Sequence, residues 1–152
     1  MSDIYNKYKS KEEQLRKQHK ELMDKYGFVI HNVFPSSDEE ILWSHHTHGL
    51  KENFNHMDLE IVLPIHPEMA GGLIHGMVEQ IKNGESFEDK LVSDRVIQNY
   101  NVQLVKVNSE NRELLRIVLP DANGNFPSDE DCEDVYKNQL DDILEGSLST
   151  NN

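Results

Sequence analysis

The sequence predicts an α+β domain: a largely antiparallel sheet of about five strands with a central helix and a further helix at each end. Three observations predict it. Asn101-Val-Gln-Leu-Val-Lys-Val107 alternates apolar and polar residues, and Glu113-Leu-Leu-Arg-Ile-Val-Leu119 returns after a short polar turn, as two antiparallel strands would. Ala70, Leu73, Ile74, Met77, Val78 and Ile81 follow the i, i+3, i+4, i+7 pattern of one helix face. Three extended runs precede that helix, over 28–34, 41–49 and 59–65.

The first helix is expected over 9–26. Ser10 can cap it, with Glu13 at the capping-box spacing, and Gly27 suits its end. Leu15, His19, Leu22 and Tyr26 draw a narrow apolar stripe along a charged rod. That stripe suits a helix laid over the domain or a dimerisation helix. Residues 28–34 read as the first strand, 35–40 as a turn, 41–49 as a second strand and 51–56 as a polar loop. The third strand, 59–65, is near-continuously apolar and therefore central. Pro67 suits the first turn of the central helix, and Asn83-Gly84 ends it. Gly71-Gly72 inside that helix costs about 1 kcal/mol per glycine relative to alanine, which points to close backbone packing. Residues 85–98 carry no clear period. Residues 120–127 read as an ordered loop, and Ser128 can cap a last helix over 131–145. The organisation is then a charged helix (1–26), one α+β domain (27–145) and a small, polar, disordered tail (146–152).

At 152 residues the chain has room for one ordinary domain. It carries 15 Lys+Arg against 28 Asp+Glu, a net charge of −13. That balance excludes a general binder of nucleic-acid backbone, but not of a small anion in a local pocket. Residues 1–26 are net +2 and residues 128–152 net −7. The single cysteine, Cys132, excludes a disulfide framework and a zinc site built on thiolates, and the acids around it work against a reactive thiolate. No apolar run is long enough to span a bilayer, and the first residues lack a secretory stretch. A cytoplasmic protein without a membrane partner is expected.

The densest chemical feature is His45-His46-Thr47-His48, with His56 following. On a strand, His46 and His48 share one face and His45 takes the other. His46 and His48 can share a divalent metal, with His56 or Asp58 as a third ligand. No metal is favoured, because surface or partly buried polar histidines are the simpler reading of a cluster without a fixed ligand spacing. Motifs for a serine nucleophile, a phosphate loop or a dinucleotide site are absent.

Several segments together resemble the domain-of-unknown-function family 4262. Tyr26-Gly-Phe-Val-Ile-His-Asn-Val33 is similar to its opening strand, and Thr47-His-Gly-Leu50 to its second. Asn55-His-Met-Asp-Leu59, Asn83-Gly-Glu-Ser-Phe87 and Leu119-Pro-Asp-Ala-Asn-Gly-Asn-Phe-Pro-Ser-Asp129 resemble later motifs, and Gln139 fits a trailing glutamine. The resemblance covers about residues 26–140 and implies a small bacterial or phage-type cytoplasmic domain of unestablished activity. In the family pattern tyrosine and isoleucine stand where His46 and His48 stand here, so a metal site using them would be particular to this chain. The resemblance singles out Thr47, Gly49, His56, Asp58, Asp121 and Gly124 as ligand-binding candidates.

Three functions remain open. The first is a small-ligand-binding module with a cleft between Thr47, His56, Asp58 and the Asp121–Gly124 loop; phage-encoded nucleotide binding belongs to this class. The second is an enzyme: a hydrolase with His56 as base and Asp58 orienting it, or a metal-dependent enzyme using His46 and His48. The third is a protein-interaction module acting through the N-terminal helix or the acidic tail, with a homodimer as one form. For Asp121 and Gly124 a purely structural turn is the competing reading.

Overall fold

The computed structural model describes residues 2–34, 43–109 and 111–141. The described elements follow in the order α1 (Ser2–Tyr26), β1 (Val29–Val33), β2 (Ser44–His48), α2 (Leu50–Phe54), β3 (Asp58–Ile61), α3 (Pro67–Lys82), β4 (Val92–Ile97), β5 (Tyr100–Ser109), β6 (Arg112–Val118) and α4 (Asp134–Lys137), with a 3₁₀ turn at Asn138–Leu140. The strands form one six-stranded sheet in the order β1-β2-β3-β6-β5-β4. Among the described strands only β3 and β6 pair in parallel, and the other pairs are antiparallel. The fold is α+β, with one strand more than the sequence suggested.

The apolar periodicities translate directly into the core. Ala70, Ile74, Met77, Val78 and Ile81 of α3 are buried, and they belong to one cluster with Leu59, Ile61, Leu104, Leu115 and Ile117 of the sheet. Full burial of each large side chain contributes roughly 1.5–3 kcal/mol against the entropy of ordering the chain. β3 is buried on both faces, as the near-continuously apolar stretch 59–65 implied. β6 pairs over its whole length with Gln103–Ser109 of β5.

Four expectations need correction. α1 runs through Ser10 and begins earlier, so that serine is an interior residue and not the cap. Residues 51–56 contain the short helix α2 and are not simply a loop. Gly71 and Gly72 do not mark close packing: an added Cβ would meet only Ile30 Cδ1 at 3.9 Å at the first and nothing within 4 Å at the second. The last helix starts at Asp134 with Glu133 at its N-cap, so Ser128 does not cap it and residues 131–133 are not helical. Residues 85–98, for which the sequence offered no reading, contain β4, whose outward-facing charged residues hid its period. The turn proposed at 35–40 and the tail at 146–152 lie outside the described residues, as does the later part of the helix proposed over 131–145.

Two glycines fix how α1 meets the sheet. Gly27 (φ 81°) ends α1, its N–H donating to the Met23 carbonyl. Gly49 (φ 108°) follows β2, and a Cβ there would stand 2.7 Å from Met23 Sδ and 2.8 Å from the Gly27 carbonyl oxygen. Asn53 of α2 donates to that same carbonyl at 2.8 Å. The end of α1, the end of β2 and α2 therefore meet at one corner.

Candidate functional site

Strand alternation sorts the histidines. His45 and Thr47 are fully buried, while His46 and His48 point to the opposite face. The antiparallel register places His31 of β1 directly beside His46, and His46 beside Glu60 of β3. The parallel pair then sets Glu60 beside Arg116 of β6. One row thus crosses four strands: His31, His46, Glu60, Arg116.

The inner half of the row is a buried ion pair. Arg116 Nε and Nη2 reach Glu60 Oε1 at 3.0 and 2.9 Å, and Arg116 Nη1 donates to the Gln139 carbonyl at 2.9 Å. Ser44 Oγ donates to Glu60 Oε2 at 3.0 Å. That donation uses the hydroxyl proton, so at 2.9 Å His46 Nδ1–H donates to Ser44 Oγ. The imidazole lone pair of His46 then lies on Nε2.

The outer half of the row is a histidine cluster. Ring centroids are 4.3 Å apart for His31 and His48, 5.1 Å for His46 and His48 and 5.7 Å for His31 and His46. His19 of α1 stands 5.6 Å from His31.

Beside His48 lies the corner described above. Arg112, at the start of β6, donates to His48 Nδ1 and to the Thr47 carbonyl, each at 2.8 Å, and its Nη1 is 3.6 Å from Asp58 Oδ2. Asp58 Oδ1 accepts from Thr47 Oγ1 at 2.7 Å and from the Leu50 N–H at 3.0 Å. Thr47 Oγ1 accepts in turn from the Leu59 N–H at 2.9 Å. Next to this network opens a cavity of about 370 Å³, lined by Met23, His48, Gly49, Glu52, Asn53 and Arg112.

The structure thus brings Thr47, Gly49, Asp58 and His48 to one corner. It places His56 in a different role: Nδ1 donates to the Met57 carbonyl at 2.8 Å and Nε2 accepts from the Phe87 N–H at 3.0 Å. Both ring nitrogens tie the chain entering β3 to the segment after α3. Asp121 and Gly124 sit elsewhere. Asp58 pairs with Leu114 near the start of β6, whereas Asp121 follows the far end of that strand. The Asp121 carboxylate accepts from the N–H groups of Asn123, Asn125 and Glu133, and Gly124 (φ 83°) donates to the Asp121 carbonyl. These contacts build a turn. Burial opposes the Asp121 charge, but the surrounding N–H donors outweigh it and hold the carboxyl below its usual range. Cys132 is buried, and burial followed by the nearby Asp121 raises its thiol.

His31 and Arg112 were not anticipated from the sequence. Their role follows from register: His31 faces His46 across β1–β2, and Arg112 reaches Thr47 from β6.

Burial first, then the Arg112 guanidinium, then the His31 and His46 rings push His48 down to about 4. His31 and His45 are lowered as well, each chiefly by burial. The unfolded chain takes up protons at these histidines near 6.5, and the folded chain only at lower pH. Stability is therefore unaffected above that value and falls as the pH drops toward 4. Asp121 acts in the same direction, but only below the ordinary carboxylate range. Urea unfolding between pH 7 and pH 4.5 is expected to show the loss. His48→Ile should flatten part of the slope; an unchanged slope would contradict the assignment.

No described helix is long and apolar enough to cross a membrane. Nothing among curated proteins and nothing among solved structures matches the chain. A family model described as "Domain of unknown function (DUF4262)" does match, over residues 22–115. That span includes Met23, the histidine row as far as Glu60, and Arg112, and it stops before Arg116 and the Asp121 turn. With most of its length matched, this chain belongs to the DUF4262 family.

Proposed function

We propose that the chain is a small-ligand-binding module whose site is the cavity at the α1–β2–β6 corner. The observation that carries this reading is the Arg112 guanidinium, positioned at the cavity wall by the Thr47 carbonyl, His48 and Asp58. Its two hydrogen bonds use two of five N–H donors, so the group keeps capacity for a ligand carboxylate or phosphate. Met23 adds a polarizable apolar contact and Asn53 an amide. One cation in a chain of net charge −13 favours a ligand with a single acidic group. A nucleoside monophosphate fits that description, and phage-encoded nucleotide binding in a cytoplasm is the specific form of the proposal.

The test is an NMR titration of ¹⁵N-labelled protein with small carboxylates and nucleoside monophosphates. The expected shifts are at Gly49, Asn53 and Arg112, with Arg112→Gln weakening binding about 10–100-fold, the worth of a charged hydrogen bond. Shifts centred elsewhere, or affinity unchanged in Arg112→Gln, would defeat the proposal.

The hydrolase reading gains less support. Both nitrogens of His56 are engaged, and Asp58 directs its hydrogen bonds to Thr47 and Leu50. The interaction reading is favoured by one observation: Leu15 and Leu22 stand one heptad apart on α1 and are 65% and 46% exposed. A second copy of α1 is the partner that this stripe suits.

A further inference from the structure

We propose that His31, His46 and His48 together bind one divalent transition-metal ion of the zinc, nickel or copper type. The site lies at the β1–β2 edge of the sheet and does not depend on a ligand in the neighbouring cavity. Three observations support it. The first is convergence. One ligand nitrogen from each of the three rings lies within 4.8 Å of the other two. Three imidazoles bound head-on to a tetrahedral ion at about 2.1 Å have their centroids about 5 Å apart. The observed separations of 4.3, 5.1 and 5.7 Å bracket that value, so side-chain rotation alone closes the site.

The second observation is orientation. His46 donates through Nδ1 to Ser44, which donates to the buried Glu60 carboxylate. A carboxylate-backed hydrogen bond on the far nitrogen fixes the tautomer of a metal-binding histidine and raises its basicity. The third is donor chemistry. Three neutral nitrogens suit borderline transition metals and do not suit calcium or magnesium, which require oxygen ligands. Arg112 Nη1 donates to His48 Nδ1, which places that ring's proton on Nε2. Ligation through Nε2 shifts the proton to Nδ1, so the Arg112–His48 hydrogen bond is given up and Arg112 is then held by the Thr47 carbonyl and Asp58.

The test is calorimetric titration of untagged, EDTA-stripped protein with zinc chloride. One equivalent is expected to bind, and calcium chloride is expected to give no binding. The double variant His46→Tyr/His48→Ile keeps strand-favouring side chains and should abolish uptake. His31→Ala, at an exposed position, should weaken zinc at least tenfold and decides the matter if the double variant fails to fold. Ser44→Ala should cost roughly 10–100-fold through lost orientation of His46. His66→Asn, which retains a capping side chain at the start of α3, should bind as the wild type does. No zinc uptake, or uptake that survives loss of the histidines, overturns the proposal.

Discussion

Arg116→Met is expected to destabilise the chain by about 3–5 kcal/mol, enough to unfold a marginal domain. Arg116 and Glu60 are 3% and 4% exposed, and they pair through two contacts on one carboxylate oxygen. The substitution leaves the Glu60 charge buried with the Ser44 hydroxyl as its remaining described donor. It also removes the donor that ties the Gln139 carbonyl to the sheet. Gln139 in turn bonds the Leu119 N–H and carbonyl, so the segment after α4 should loosen as well. Pairing Arg116→Met with Glu60→Gln should recover much of the loss, because replacing a whole buried pair is far cheaper than breaking it. Urea denaturation of the single and double variants checks both statements. A single-variant loss under about 1 kcal/mol would contradict them.

Asp58→Ala should be nearly as damaging, at about 3–4 kcal/mol, and should also weaken ligand binding at the corner. It orphans the Thr47 hydroxyl and the buried Leu50 N–H, each costing about 1–3 kcal/mol and not fully additive. It also frees Arg112 from its anionic partner. Asp58→Asn separates these effects. The amide oxygen can still accept from Thr47 and Leu50, while Arg112 loses its counter-charge. The expectation is a near-native melting curve with the affinity for the small acid raised, because an anion beside the Arg112 cation is gone while the Thr47 carbonyl and His48 still hold that side chain. If Asp58→Ala melts like the wild type, the network does not hold the corner together.

Much of the fold was legible because its signals are local. The face from Ala70 to Ile81, the alternation over 101–107 and the apolar run in 59–65 each reveal an element without reference to any other. β4 escaped because an edge strand with exposed charged residues carries no apolar period. The site was only half legible. Thr47, Gly49, Asp58, His46 and His48 sit in segments whose motifs drew attention, and they do cluster. Their partners His31 and Arg112 come from distant strands, and the cross-strand register that delivers them is not written locally. Asp121 and Gly124 illustrate the converse. A distinctive proline-aspartate loop marks a self-contained turn here, at the other end of the sheet from Thr47.

The central claim is that the Arg112 corner holds a small acidic molecule. Native mass spectrometry of the untagged protein beside Arg112→Gln tests it most directly. The account predicts a stoichiometric mass excess, retained after EDTA treatment in the wild type and absent from the variant. A bare wild-type mass after incubation with the binding panel, or the same excess in both proteins, would contradict it.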